Sequence, residues 1–219
     1  MEFFQTFADW YMGHMNYFTI TLLMTIESSF IPFPSEIVIP PAAWKAAAGG
    51  LNIYLVVFFA TIGALIGAII NYYLALWLGR TIVYRFVETK IGKMCLLNKN
   101  KIEHAEAYFV RHGRSSTFIG RLVPAVRQLI SIPAGLARMN LKHFIIFTAL
   151  GSTIWHAILA FLTLYVFHLA PISLQKETID FHELSILMKP YMKELSYGFL
   201  LVGVLFVVYL IIVFLKKRR

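Results

Sequence analysis

Two arginines lie inside a stretch of the chain that is otherwise apolar. Arg121 and Arg127 stand on either side of Pro124. On an unbroken helix, side chains at this spacing point to different faces, whereas a break at Pro124 would let both reach one cavity. Guanidinium groups bind phosphate oxygens through paired hydrogen bonds, and the free amides at a broken helix end add donors. The pattern predicts an anion site that suits phosphate, with simple neutralisation of neighbouring carboxylates as the alternative.

Two glutamates also have apolar surroundings, in the first part of the chain. Glu36 falls between Pro34 and Pro40, and Glu27 lies nine residues before it. Removal of a carboxylate from water disfavours its charged form, which suits a group that exchanges protons. We therefore predict proton coupling by Glu36 and Glu27. Two alternatives stay open: Glu36 caps the start of a half-helix, and Glu27 is a hydrogen-bonded packing partner or pairs with an arginine.

Four further polar residues are candidates for the same cavity, although each alone is a weak signal. Gln128 and Ser131 are assigned to the anion site because they follow the second arginine closely, and Asn71 and Tyr72 are assigned to the cavity wall. Gly63 and Gly67, four residues apart, predict close packing between helices and no chemistry.

The remaining polar residues give no sign of metal or redox chemistry. The seven histidines show no metal-binding spacing, and we interpret all of them, His156 included, as interfacial residues. Trp155 is interpreted in the same way, as a member of an aromatic belt. Cys95 is the only cysteine, which excludes an intramolecular disulfide and a thiolate metal site. We expect no cofactor, although a proton gradient is compatible with the two glutamates.

The composition argues against a soluble fold. Of the 219 residues, 59% are hydrophobic and 14% are charged, and the mean hydropathy is +0.71. Soluble domains have about 45–50% apolar and about 25% charged residues. The formal net charge is +9, but the basic residues lie in short loops and at the ends of apolar runs, where they serve as lipid anchors and orientation signals. We expect an integral membrane protein that does not bind nucleic acid.

Three apolar runs are long enough to cross a membrane, namely residues 53–78, 144–167 and 197–215. Two other apolar stretches, 17–48 and 115–137, contain charges and prolines that a lipid-facing helix would not tolerate. Irregular backbone at membrane depth occurs only where protein or a wet cavity surrounds it. We predict that both stretches are re-entrant helical hairpins. Their expected breaks are Pro34, Pro40, Pro124, Pro133 and Gly135.

Lysines and arginines set the predicted orientation. The connection 80–114 and the C-terminal tail are strongly basic, whereas 171–194 is mixed in charge. The positive-inside rule places the connection and the C-terminus in the cytoplasm and 171–194 outside. The two hairpins then enter the membrane from opposite sides. The predicted architecture is one all-α membrane domain, an inverted repeat with about three transmembrane helices and an N-terminal interfacial helix at residues 1–16.

The two broken segments also resemble each other. Residues 37–42 are Ile-Val-Ile-Pro-Pro-Ala and residues 130–135 are Ile-Ser-Ile-Pro-Ala-Gly. An asparagine, Asn52 or Asn140, then precedes the next apolar run. Matching broken segments in two repeats are typical of transporters, in which they meet at a site near the membrane midplane.

At three places the sequence resembles the DedA family of membrane proteins, which belongs with the wider VTT-domain proteins. These are residues 33–42 (Phe-Pro-Ser-Glu-Ile-Val-Ile-Pro-Pro-Ala), residues 71–80 (Asn-Tyr-Tyr through Leu-Gly-Arg) and residues 120–135 (Gly-Arg-Leu-Val-Pro-Ala-Val-Arg through Ile-Pro-Ala-Gly). The resemblance extends over about residues 20 to 170. It implies two opposed re-entrant hairpins plus transmembrane helices. It also implies that the essential positions are Glu36, Arg121 and Arg127.

The same resemblance implies a function, because the sequence is similar to members that recycle undecaprenyl phosphate or transport phosphatidylethanolamine. Some proton-dependent members have a second carboxylate shortly after the first hairpin. Residues 37–87 contain neither Asp nor Glu, and this departure puts a two-carboxylate proton relay in question.

The expected function is a proton-linked transporter or flippase of a phosphate-bearing lipid, not an enzyme. Undecaprenyl phosphate, moved from the outer to the inner leaflet of a bacterial inner membrane, is the first choice of substrate. The alternatives are a phosphatidylethanolamine transporter, a passive lipid scramblase and, last, a membrane lipid phosphatase. A homo-oligomer is compatible with all of them.

Overall fold

The computed structural model describes residues 10–29, 37–89, 99–175 and 182–191, together with residue 193. Throughout these ranges the regular structure is helical, with no β-strand. The helices are α1 (Tyr17–Glu27), α2 (Ile39–Ala47), α3 (Ile53–Glu88), α4 (Lys99–Leu122), α5 (Pro124–Arg127), α6 (Ser131–Leu136) and α7 (Leu141–Leu169). A 3-10 turn at Ile172–Leu174 and helical stretches at 10–13 and 182–191 complete the described part.

Two of these helices are long and apolar enough to cross a membrane. They are the Ile53–Gly79 part of α3, with 27 residues, and α7, with 29 residues. At 1.5 Å per residue each extends roughly 40 Å, more than the thickness of the hydrocarbon core. Both expose large apolar side chains, among them Trp77 (87% exposed) and Phe161 (72%), as a surface in contact with lipid does. The predicted span 197–215 lies outside the described residues.

α3 and α4 each contain one residue whose backbone is not helical. α3 passes through Gly79, whose φ of 68° and ψ of 177° are not helical; glycine permits this because it has no Cβ. α4 has a kink at His112. Since no proline interrupts α4, it ends only just before Pro124. The break at His112 lies two residues before the end of the predicted connection 80–114.

Prolines stand where the short helices begin. Pro40 is in the first turn of α2, and Pro124 is the first residue of α5. In the first turn the missing amide of proline costs no helical hydrogen bond. Pro133 is the third residue of α6. Gly135 lies within α6, where a Cβ would overlap the Tyr72 carbonyl of α3, so it permits close packing instead of forming the predicted break.

An asparagine immediately precedes each of these two apolar helices, α3 and α7. Asn52 Oδ1 accepts a hydrogen bond from the Tyr54 amide at 2.9 Å. Asn140 Oδ1 accepts one from the Lys142 amide at 3.0 Å. Such contacts satisfy amides that have no partner within the helix. The two asparagines that match in the sequence therefore have the same structural role.

Each of the two long apolar helices, α3 and α7, contacts helices from both broken segments. α1 and α6 pack on α3, α4 packs on α7, and α2 packs on both α7 and α3. Gly63 and Gly67 permit the α1–α3 contact, because a Cβ at either position would overlap a carbonyl oxygen of α1. A Cβ at Gly151 of α7 would lie 2.6 Å from that of Arg121 on α4. These glycines thus allow α1, which carries Glu27, to pack closely on α3, and α4, which carries Arg121, to pack closely on α7.

The N-terminal segment is attached to this helical core. Tyr11 is fully buried, and its hydroxyl donates to the Val38 carbonyl at 3.0 Å. Met15 is buried in the same apolar cluster, while Trp10 is 46% exposed. The described part of the predicted interfacial helix, 1–16, therefore has one side docked on the core and one side open.

Candidate functional site

A buried ion pair joins the two broken segments. Glu27, the last residue of α1, accepts a hydrogen bond from Arg127, the last residue of α5. The two side chains are 3% and 7% exposed. The Ser28 hydroxyl donates to the other carboxylate oxygen at 2.9 Å. Both charges are removed from water, and each compensates the other, as a buried pair requires.

The guanidinium of Arg127 also lies over an aromatic ring. Its central carbon is 5.1 Å from the centroid of the Trp155 ring, within the range of a cation–π interaction. Trp155 belongs to α7 and is 2% exposed. The prediction that Trp155 is an interfacial belt residue is therefore wrong, because its indole packs against a buried cation and not against headgroups.

Arg121 is held by a helix from its own broken segment. Its Nη2 donates to the Ser131 Oγ of α6 at 2.8 Å. The side chain is 3% exposed, and within the described part of the chain its Nε has no hydrogen-bond partner. An unsatisfied buried donor costs roughly 1–3 kcal/mol, and more on a charged group. This nitrogen is therefore available to an acceptor that enters the site.

Both arginines line one small cavity. Its other described walls are Glu27, Ser28, Ala64, Ser152, Trp155 and His156. The volume is about 10 Å³, close to that of one water molecule and too small for a phosphate group. Two guanidinium groups and one carboxylate among these lining residues leave an excess of positive charge. The arrangement can bind an anion when the cavity widens.

His156 is a site residue that the sequence interpretation missed. Its ring is 1% exposed and lines the cavity, with Nδ1 at 3.2 Å from the Thr61 Oγ1 of α3. The interfacial interpretation is wrong for this histidine. The sequence did contain a signal, because His156 is the only Asp, Glu, Lys, Arg or His in residues 144–167. Such a residue within a membrane span is a functional candidate by default.

The other predicted polar residues, Asn71, Tyr72 and Gln128, do not line the cavity. Asn71 of α3 is buried, and its Nδ2 donates to the Ser28 carbonyl at 3.1 Å, which supports the segment that carries the ion pair. The Tyr72 hydroxyl donates to the Met139 carbonyl and not into the site. Gln128 is half-buried and does not belong to the lining.

Glu36 and Pro34 lie outside the described residues. The chain is described again from residue 37, two residues before α2 begins. The proton-coupling role of Glu36 therefore stays a prediction.

Comparison with known proteins gives a family match over most of the chain. The VTT domain matches residues 33–165. The "Alkaline phosphatase-like protein" of Lactococcus lactis subsp. cremoris is 36% identical over 148 residues, which are 68% of this chain and 69% of the relative. "Undecaprenyl phosphate transporter A" of Staphylococcus aureus is 32% identical over 146 residues (67% and 71%). The Bacillus subtilis protein of the same name is 32% identical over 152 residues (69% and 72%). No solved structure gives a significant match.

The matched region contains most of the site. Arg121, Arg127 and His156 fall within residues 33–165, together with the whole of α3, while Glu27 lies six residues before the match begins. The chain therefore belongs to the VTT-domain family of membrane proteins, the family of the DedA proteins.

Proposed function

We propose that this protein carries a phosphate-bearing lipid, with undecaprenyl phosphate as the first choice, from the outer to the inner leaflet of a bacterial inner membrane. The observation that carries the proposal is the small cavity with Arg121 and Arg127 in its wall. Two buried guanidinium groups can neutralise a phosphate that otherwise could not cross hydrocarbon. Relatives named undecaprenyl phosphate transporter A, at 32% identity, support the same class of substrate.

In this scheme Glu27 occupies the place of the substrate anion on Arg127. A carboxylate and a phosphate offer similar oxygen acceptors to a guanidinium group. The small cavity then corresponds to a carrier without cargo, and entry of a phosphate exchanges one anion for the other. Protonation of Glu27 removes its charge and releases Arg127. Proton uptake and phosphate binding are linked in this way.

Glu36 is the second proposed proton carrier. It follows Pro34 and precedes α2 by three residues, and α2 packs on α7, the helix that carries His156. With the C-terminus in the cytoplasm, the first broken segment opens to the outside. A proton gradient across the membrane then drives the headgroup inward while the lipid tail stays in the bilayer.

The test is transport of labelled undecaprenyl phosphate in proteoliposomes, with and without an imposed pH gradient. Wild-type protein is expected to move the lipid faster with the gradient, and Glu36→Gln is expected to lose this response. Arg127→Ala should reduce transport by about 100-fold or more, since it removes one of the two groups that neutralise the phosphate. Arg114→Ala is the matched control, because Arg114 is an exposed arginine of α4. Transport that survives Arg127→Ala contradicts the proposal.

The same assay separates the alternative functions. Equal transport of the lipid with and without the pH gradient indicates a passive scramblase. Transport of phosphatidylethanolamine but not of undecaprenyl phosphate would identify phosphatidylethanolamine as the substrate. Two Lactococcus lactis relatives are named alkaline phosphatase-like, so released inorganic phosphate is measured in parallel. We expect no more phosphate than protein-free vesicles release. Phosphate release that Arg127→Ala abolishes would favour an enzyme instead.

A further inference from the structure

A single hydroxyl determines which nitrogen of His156 carries a proton. Thr61 Oγ1 lies 2.8 Å from the Val57 carbonyl of its own helix and donates to it. A hydroxyl has one proton, so the same Oγ1 must accept in its 3.2 Å contact with His156 Nδ1. Nδ1 therefore carries a proton and donates a hydrogen bond to the Thr61 hydroxyl oxygen. This leaves Nε2 as the second polar atom of the ring.

A positively charged ring is unfavourable at this position. His156 is 1% exposed and shares the cavity wall with Arg121 and Arg127. A third cation beside two buried guanidinium groups would lose its hydration and be repelled by both. Nε2 therefore has a lone pair and is a hydrogen-bond acceptor. In the cavity wall the two guanidinium groups only donate hydrogen bonds, whereas Nε2 of His156 and the Glu27 carboxylate, which pairs with Arg127, only accept them.

This combination distinguishes two classes of lipid phosphate. A phosphate monoester has its second ionisation near pH 6, so around neutral pH part of it is a monoanion with a P–OH group. That form can accept hydrogen bonds from both arginines and donate one to Nε2 of His156. A phosphodiester has no such proton, and its oxygens would face the Nε2 lone pair. A site that bonds a hydroxyl rejects an analogue without it, because a buried polar atom is left unpaired.

We propose that His156, oriented by Thr61, makes this site selective for a lipid phosphate monoester over a phosphodiester. The inference rests on the proposed transport function, since it concerns the headgroup that enters the same cavity. It goes beyond neutralisation of charge, which the arginines provide for both kinds of ester. Prenyl phosphates and phosphatidate share the monoester chemistry, so the experiment includes both.

The test compares lipids that differ by one methyl group: undecaprenyl phosphate with its methyl ester, and phosphatidate with phosphatidylmethanol. Transport of each lipid in proteoliposomes gives a monoester-to-diester ratio. For wild-type protein we expect a ratio of at least about tenfold. His156→Asn keeps a polar group only near the position of Nδ1, so the ratio should fall towards one through loss of monoester transport. His156→Gln places a carbonyl acceptor near the position of Nε2 and should keep most of the ratio.

Thr61 provides an independent variant that leaves the imidazole in place. Thr61→Val removes the acceptor that fixes the proton on Nδ1. The proton can then reside on Nε2, which no longer accepts a hydrogen bond, so the ratio should fall. Thr61→Ser keeps the hydroxyl and should keep the ratio. Thermal unfolding of each purified variant verifies that the protein is folded.

The possible outcomes distinguish the inference from the function on which it rests. A ratio that depends on His156 in either lipid pair supports the inference, and the pair that shows it identifies the source of the headgroup. A wild-type ratio near one, or an equal loss of both esters in His156→Asn and His156→Gln, would overturn it while transport itself stands. Absence of transport of every lipid by wild-type protein would overturn the proposed function and the inference together.

Discussion

The buried Glu27–Arg127 pair adds little stability while it is intact, but removal of either partner is expected to be costly. A buried ion pair rarely adds stability over an apolar pair of the same volume, because the loss of hydration offsets the attraction. Removal of one partner, however, leaves a buried charge without compensation. The pair is therefore a costly way to join α1 to α5. Its presence is accounted for if Arg127 must also bind an anion that arrives from outside the protein.

A double-variant experiment tests this account of the ion pair. We expect Glu27→Leu or Arg127→Met alone to lower the free energy of unfolding by about 3–5 kcal/mol. The combined variant should recover most of this loss, since neither charge then stays buried alone. Each of the three proteins should be inactive in lipid transport. Denaturant unfolding in detergent micelles measures the stability, and a combined variant with full transport would show that the pair is only structural.

The sequence identified the arginines of the site more readily than their partners. Pro124 signalled a change of chain direction between Arg121 and Arg127, and both line one cavity. Three alternatives stayed open for Glu27, because its partner lies 100 residues away along the chain. The position of His156 within the apolar run 144–167 marked it as a candidate, but the sequence did not show which helices surround it. Its position in the cavity depends on which face of α7 packs against α3, and composition does not reveal that.

At the level of helices, glycines determine how closely the site is assembled. A Cβ on Gly63 would overlap the Thr21 carbonyl and lie 2.8 Å from the Met24 Cβ of α1. Because α1 ends in Glu27, any shift of this helix away from α3 also moves the carboxylate relative to Arg127. Packing of two helices and geometry of the ion pair are thus coupled.

We expect Gly63→Ala to destabilise the protein by about 1–3 kcal/mol, the usual cost of excess volume in a packed interior. Transport should fall as well, since the site loses its alignment. Gly13→Ala is the control, because a Cβ there has no neighbour within 4 Å. Thermal unfolding of the two purified variants makes the comparison. Equal midpoints would show that α1 and α3 are not in close contact in the membrane.

The long helices were more predictable than the short ones. A charge-free apolar run such as 53–78 has few alternatives to a membrane-crossing helix, and the structure has an apolar helix over Ile53–Gly79. The asparagines that precede α3 and α7 were visible as a repeated feature. The internal bounds of 115–137 were not, because α5 has only four residues and α6 only six. Periodicity needs more than one or two helical turns to define a helix.

Taken as a whole, the described molecule connects its two broken segments in two ways. Each segment has helices packed on both α3 and α7, and the Glu27–Arg127 pair links the segments directly. In the proposed cycle, movement of one segment against the other would break the ion pair and widen the cavity at the same time. In this cycle α3 and α7 form the stationary frame for the movement. Local sequence patterns predicted the helices but not which helix of each segment packs on α3 or on α7, because these contacts join residues far apart in the chain.

The proposed inverted repeat makes a direct prediction about orientation. If the two broken segments enter from opposite sides, then α3 begins outside the cytoplasm and α7 begins inside it. We expect a cysteine introduced as Gly50→Cys or Ser173→Cys to react with a membrane-impermeant maleimide in spheroplasts. Lys142→Cys should react only after permeabilisation. All three positions are exposed, and Cys95→Ser removes the native thiol.

The labelling pattern also bears on the direction of transport. Labelling of Lys142→Cys alone in intact spheroplasts would show that the protein has the opposite orientation in the membrane. The first broken segment would then open to the cytoplasm. Labelling of Gly50→Cys and Lys142→Cys from the same side would contradict the inverted repeat, because α3 and α7 would begin at the same membrane surface. The expected pattern places the entrance beside the Glu27 segment on the outer side. A proton gradient directed inward could then release Arg127 where the lipid phosphate arrives.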